Sequence, residues 1–402
     1  MNRSLLNPII KNSKKLGFDK FLSRIWGDND WMAPDINELP DPIDENSKMD
    51  LYSVPEPERV VEVLSNYGVK GKFKDSYIGP AVTTYEIELP MGSRMGPIQR
   101  FKDDIARDLG VSTIRVLTSI QGRSGLGIEV PHGVRFNVNF KNMLQNVPDK
   151  MELPILLGED TFGKPQYLDL VQMPHLLIAG QTGSGKSVFI NSCLSALLCL
   201  KSPDELRLVM VDPKQVEFSA YKNIPHLKDT SIAHEPEEAR NLLDLVIDEM
   251  EERFALLNKW GAKNIKEYKE KSGSKLPFMI LVMDEFAELV TMGSPAERKD
   301  VETKVGRLAQ KARAVGIHLI LATQYPTREC VTSRIKANMP TRISFSVASQ
   351  VNSRVILDEG GAEDLLGNGD MLISSPLLRG QTLRMQSPYV SDEEINYIVN
   401  GK

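Results

Sequence analysis

Near-continuous apolar runs recur along the second half of the chain: HLLIAG (175–180), LRLVMVD (206–212), FMILVMDE (278–285), IHLILATQ (317–324) and TRISFSV (341–347). Runs of this length without polar alternation are what strands covered on both faces require. Helical stretches lie between them. The longest, 235–261, opens with Pro236 among acids and stops at Gly261, matching the start and stop chemistry of a helix. Strand and helix in alternation predict an α/β unit with a parallel sheet flanked by helices. The region before it has a different rhythm. Residues 58–68 and 96–110 carry helical periodicity, while 81–90, 112–120 and 125–131 read as strands, so a smaller α+β unit precedes the α/β one.

The first residues fit neither pattern. Residues 1–24 carry six basic side chains (Arg3, Lys11, Lys14, Lys15, Lys20, Arg24) against Asp19. Residues 28–62 then hold eleven acids against Lys48 and Arg59, with Pro34, Pro40, Pro42, Pro55 and Pro57 among them. The expected division is a basic head and acidic, Pro-rich linker (1–57), a small α+β domain (58–148) and the α/β domain (149–402). The head reads equally as a solvated end or as a docking tail for DNA or a recruiting protein.

Composition changes this picture little. A chain of 402 residues, 41% hydrophobic and 26% charged, is ordinary for a globular protein, and no run reaches the length of a membrane span. Three scattered cysteines (Cys193, Cys199, Cys330) suggest reduced thiols and a cytoplasmic setting. The five histidines form no ligand cluster, and a net charge of −5 means that any nucleic-acid contact must rest on local basic patches.

The chemistry is concentrated where strands end. Gly180, Gln181, Thr182, Gly183, Ser184, Gly185, Lys186 and Ser187 spell G-x-x-x-x-G-K-S between an apolar strand and an apolar helix, and Val188 follows as part of the expected binding segment. In that context successive backbone N–H groups curl around a polyphosphate and the helix N-terminus faces it. Lys186 then reaches the β and γ phosphates and Ser187 ligates Mg²⁺, so a nucleoside triphosphate is the expected ligand. The strand 279–283 delivers Asp284, suited to Mg²⁺, and Glu285, suited to act as general base on water. Gln324, at the end of another strand, reads as a sensor of the γ-phosphate, or as an amide closing a turn before Pro326. The 58–148 unit carries no catalytic constellation of its own.

Several ordered stretches resemble the motor region of the FtsK/SpoIIIE family of double-stranded DNA translocases. They are GPAVTTYEIELP (79–90), MPHLLIAGQTGSGKS (173–187), VDPKQVEFSAYKNIPHL (211–227), VMDEFAEL (282–289), RLAQKARAVGIHLILATQYP (307–326), IKANMPTRISFSVAS (335–349) and SRVILDEGGAEDLLGNGDML (353–372). The resemblance implies a RecA-like additional-strand ATPase core, ATP with Mg²⁺, and a hexameric ring with DNA through its centre. It also implies an arginine acting on the neighbouring subunit's nucleotide, with Arg342 the first choice and Arg354 and Arg313 further candidates; an ion pair from Arg342 to Asp358 or Glu359 is the competing reading. DNA contacts are expected from two basic loops, one with Arg328, Arg334 and Lys336, the other a hairpin with Arg379 and Arg384. Gln-Tyr-Pro (324–326) stands where the family usually has Gln-Arg-Pro, and the membrane helices and γ domain of full-length members do not occur in this sequence, so the chain reads either as a stand-alone motor or as the motor excised from a longer protein. Alternatives are a conjugation or packaging pump, a protein-secretion ATPase, and an assembly factor that only binds nucleotide.

Overall fold

The computed structural model describes residues 31–40, 54–93, 96–118, 120, 123, 125–227, 230–378 and 382–400. The basic head and Arg379 lie outside them.

The first unit comprises α1 (Pro57–Asn66), β1 (Lys72–Ile78), β2 (Val82–Glu88), α2 (Gly96–Arg100), α3 (Lys102–Leu109), β3 (Arg115–Leu117) and β4 (Leu126–Pro131). Its antiparallel sheet runs β1-β2-β4-β3. Val60, Val63 and Leu64 on α1 and Ile105 on α3 meet Tyr85, Ile87 and Ile128 in one apolar cluster. The strand β1 was not expected: it is an edge strand, mostly exposed, whose KFKDSYI carries almost no apolar alternation.

The chain then adds β5 (Val138–Asn139), α4 (Phe140–Gln145), β6 (Pro154–Asp160), β7 (Pro165–Asp169), β8 (His175–Ala179), α5 (Lys186–Leu200), β9 (Leu206–Val211), α6 (Pro236–Lys259), α7 (Ile265–Ser272), β10 (Phe278–Met283), α8 (Phe286–Thr291), α9 (Pro295–Lys311), β11 (Ile317–Thr323), α10 (Ser333–Asn338), β12 (Thr341–Phe345), α11 (Gln350–Leu357), β13 (Asp370–Ser374), β14 (Thr382–Gln386), β15 (Pro388–Tyr389) and α12 (Asp392–Asn400). Nine strands form one sheet in the order β7-β6-β14-β13-β12-β8-β11-β10-β9. All five apolar runs form strands, and β12-β8-β11-β10-β9 are mutually parallel. The sheet as a whole is mixed, because β13, β14, β6 and β7 extend it in antiparallel fashion. The strand β11 lies between β8 and β10, as an additional-strand ATPase core requires.

The apolar cores divide earlier than residue 148. Val138, Phe140, Met143 and Leu144 pack into the large unit's core, and so does Leu39 from the acidic stretch. Lys141 Nζ donates to the carbonyls of Asn37 (3.0 Å) and Leu39 (2.8 Å), and Tyr397 donates to Glu38 (2.9 Å). Residues 35–39 are thereby docked rather than extended. No described helix is long and apolar enough to cross a membrane.

Candidate functional site

Residues 180–185 connect the end of β8 to the start of α5, and the turn is built on left-handed glycines: Gly183 has φ 77° and Gly185, the N-cap of α5, φ 101°. A side chain at Gly185 would run into the Gly369 nitrogen. That close approach has a purpose, since Gly369 N donates to Ser184 O (2.9 Å) and Asn368 N to Gly183 O (3.4 Å). The segment before β13 therefore braces the loop.

Parallel pairing brings the acidic strand end to this loop. Lys186, buried, is ion-paired with Asp284, whose other oxygen, Oδ2, is buried with no hydrogen-bond partner. Ser187 Oγ donates to Glu217 Oε1 (2.6 Å). A buried carboxylate oxygen with a free lone pair beside a helix-terminal hydroxyl fits a hard divalent cation of the Mg²⁺ kind.

Glu285 is fully buried and sits in the left-handed region (φ 52°, ψ 56°), strained for a residue with a side chain. Its carboxylate accepts from Thr323 Oγ1 (2.9 Å) and Gln324 N (3.1 and 3.2 Å), and pairs with Lys214 Nζ (3.3 Å). Thr182 Oγ1 donates to Gln324 Oε1 (3.1 Å), so Gln324 joins the phosphate loop to the acidic strand end. The cavity, about 420 Å³, is lined by residues 181–183 and 185–188 of the loop and helix start together with Glu217 and Gln324. Gly180 and Ser184 lie beneath it, the first packed on Phe345 and the Ser184 hydroxyl. Lys214 and Glu217 had no assigned role in the sequence; their signal is the charged VDPKQVEF stretch directly after β9.

The basic residues sort differently. Arg342 donates to Ile356 O (2.9 Å) and pairs with Asp358 (2.5 Å), the intramolecular bridge that competed with its trans-acting reading. Lys336 pairs with the same carboxylate (2.5 Å) and donates to Val355 O. Those two cations hold the Asp358 carboxyl below its usual range, against the opposing effect of partial burial. Arg354 is exposed on α11 and makes no ion pair with a described residue. Arg313 is engaged with Gln172 O (3.2 Å). Arg328 and Arg334 are exposed, around the start of α10.

Arg384 corrects an expectation. It is buried, with Asp370 at 2.7 and 2.9 Å and Glu129 at 2.9 Å, so its guanidinium is spent inside the protein and cannot grip DNA. Burial by itself would lower its pKa, but the two carboxylates outweigh that and hold it above the ordinary arginine value. The hairpin of β13 and β14 does form, but Arg384 faces inward and ties the first unit, through Glu129 on β4, to the segment bracing the phosphate loop.

A phosphate loop at a strand–helix junction, an acidic strand end beside it and an inserted polar strand tip define a P-loop NTPase of the additional-strand class. Two family models match the chain: FtsK/SpoIIIE family over residues 144–328 and FtsK alpha domain over residues 34–132. It is 41% identical over 370 residues to DNA translocase FtsK of Haemophilus influenzae, covering 84% of this chain and 68% of that protein. It is 39% identical over 385 residues to DNA translocase SpoIIIE of Bacillus subtilis, covering 92% and 48% respectively. The chain belongs to the FtsK/SpoIIIE family. It spans less than half the length of several curated relatives, 43% in the case of DNA translocase FtsK of Treponema pallidum, with which it shares 42% identity over 347 residues, 84% of this chain. Among solved structures, the monomer form of the pCW3 conjugation coupling protein TcpA with ATPγS superposes with TM-score 0.60 at 25% identity, covering 86% of this chain and 98% of that one. The cytoplasmic domain of the type VII secretion ATPase EccC of Thermomonospora curvata shares the fold (TM-score 0.56, 22% identity, 66% and 34% coverage).

Proposed function

We propose that this chain is an ATP-hydrolysing motor that translocates double-stranded DNA, working as a hexameric ring. The observation that carries the reading is a cavity lined by Lys186 and Gln324, with Asp284 paired to the first and Glu285 bonded to the second directly behind it, in a chain whose relatives are named DNA translocases. Loop N–H groups bind the polyphosphate and Lys186 supplies a point charge to its terminal oxygens. Ser187 and Asp284 would hold Mg²⁺, which adds positive charge between the phosphates. Glu285 takes the proton from the attacking water, and Gln324, tied to Thr182, holds that water in place.

Arg342 is committed to Asp358, so Arg354 is the better candidate to reach a neighbouring subunit's nucleotide. Among the described residues DNA contact falls to Arg328 and Arg334, with Arg384 buried, and Arg379 keeps its place as a candidate. The match of residues 34–132 to the FtsK alpha domain favours DNA over protein as cargo. The test is hydrolysis with and without linear duplex DNA, together with displacement of a third strand from that duplex, with Lys186→Ala as control. DNA stimulation with displacement, both abolished in the control, is the expected result. Hydrolysis indifferent to DNA would leave a protein-secretion ATPase or a nucleotide-dependent assembly factor.

A further inference from the structure

A general base must present a lone pair to the attacking water, and in this structure Glu285 has none to spare. It is fully buried and is not one of the residues that line the cavity. Its Oε1 accepts from Thr323 Oγ1 (2.9 Å) and Gln324 N (3.2 Å), and its Oε2 from Gln324 N (3.1 Å) and Lys214 Nζ (3.3 Å). Each oxygen meets two donors, which fills the lone pairs of a carboxylate. Thr323 and Gln324 N belong to the end of β11 and are fixed with the sheet. Lys214 is different: it stands on the loop after β9, and its side chain is 33% exposed and free to swing.

That loop carries a second charged group, which does face the cavity. The buried Asp212 closes it, accepting from Phe218 N through Oδ2 (3.0 Å) and from Gln215 N through its carbonyl (3.2 Å). Gln215 adopts the left-handed φ of 58° in the turn so formed. Three residues beyond Lys214, Glu217 lines the cavity and accepts from Ser187 Oγ (2.6 Å). A polyphosphate in that cavity repels the Glu217 carboxylate and attracts the Lys214 ammonium. Both forces act on one short loop, and both compete with the hold of Lys214 on Glu285.

We propose that Lys214 is a positioning residue that latches Glu285 away from the attacking water, and that its release, promoted by polyphosphate through Glu217, precedes proton transfer in every turnover. Once Lys214 withdraws, Oε2 regains a lone pair for water while Thr323 and Gln324 N still orient the carboxylate. The inference rests on the ATP-hydrolysing reading above and adds the group that delays the base until the loop has moved.

Two measurements on the whole chain test this. A water-soluble carbodiimide joins a paired amine and carboxylate as an amide, so digestion and mass spectrometry should recover Lys214 linked to Glu285 from nucleotide-free protein. A saturating non-hydrolysable ATP analogue with Mg²⁺ should lower the yield of that product. An unchanged yield, or no linked product in either state, would overturn the latch. The second measurement is steady-state hydrolysis without DNA by the wild type, Lys214→Met and Lys214→Arg. Lys214→Met should raise kcat about tenfold, as loss of one hydrogen bond to a charged group implies, and leave KM unchanged. Lys214→Arg, whose guanidinium reaches the same carboxylate, should stay near the wild type. A lower kcat in Lys214→Met would make Lys214 a participant in the chemistry and overturn the latch, as would equal rates in all three proteins. Absence of turnover in all three, with DNA as well as without, would instead sink the hydrolysis reading beneath it.

Discussion

Replacing Arg384 by Met keeps most of the stem volume and removes the only cation among the described residues that touches both Asp370 and Glu129. Those carboxylates are each 1% exposed, and Arg384 makes three hydrogen bonds to them. What remains is Arg115, 3.7 Å from Glu129, and the Leu366 N–H on Asp370 (2.8 Å). Breaking a buried pair from one side costs about 3–5 kcal/mol, because the stranded charge cannot be rehydrated. At about 2–4 °C per kcal/mol for a domain of 150–250 residues, the midpoint of thermal unfolding should fall by roughly 6–20 °C. Asp370 follows Gly369, so nucleotide affinity should weaken as well. The triple variant Arg384→Met, Asp370→Leu, Glu129→Met should regain much of the midpoint, since it removes the charges instead of orphaning them. Calorimetry on the three proteins, alongside DNA binding at several salt concentrations, decides the matter. An unchanged midpoint with a flatter salt dependence of DNA binding would refute burial of Arg384 and return it to the DNA-contacting surface.

Glu285→Gln should hold nucleotide and hydrolyse it about 10²–10⁴-fold more slowly, because an amide cannot accept the water's proton; near wild-type turnover would remove Glu285 from the base role. Mixing Arg354→Ala with Lys186→Ala subunits should restore hydrolysis beyond the additive expectation, whereas Arg342→Ala in the same mixture should chiefly lower thermal stability; the reverse pattern would exchange their roles. Charge reversal at Arg328 and Arg334 together should lower DNA-stimulated hydrolysis and flatten the salt dependence of DNA binding; an unaltered slope would place the contacts elsewhere. Burial lowers the pKa values of His226 and His318 to about 4, so both are neutral in the fold while the unfolded chain binds protons below about 6.5. Stability is therefore full above that value and declines as pH falls toward 4, by about 1.4 kcal/mol per pH unit for each histidine. A His318→Gln variant should show a shallower decline in its unfolding midpoint over that range, and an identical slope would contradict the assignment.

The parts legible in the sequence share one property: their chemistry is set by neighbours in the chain. The loop from Gly180 to Ser187 is a local backbone conformation, so its spacing suffices. Asp284, Glu285 and Gln324 follow apolar runs, and parallel strands carry their C-terminal ends to one edge of the sheet. Period alone located the five parallel strands, because covering both faces leaves no room for polar positions. It could not locate β1, β6 and β7, which are part exposed or paired antiparallel, and the β13–β14 hairpin was expected only from its turn-like basic stretch.

Tertiary structure alone decided the fate of each charge. An arginine in a polar stretch reads the same whether it meets solvent, DNA or a carboxylate 255 residues away, as Arg384 meets Glu129. Arg342 and Lys336 are likewise consumed by Asp358 on a neighbouring turn, and Lys214 reaches Glu285 across the strand ends. Desolvation and pairing are properties of surroundings assembled by the whole fold, and no window along the chain contains them.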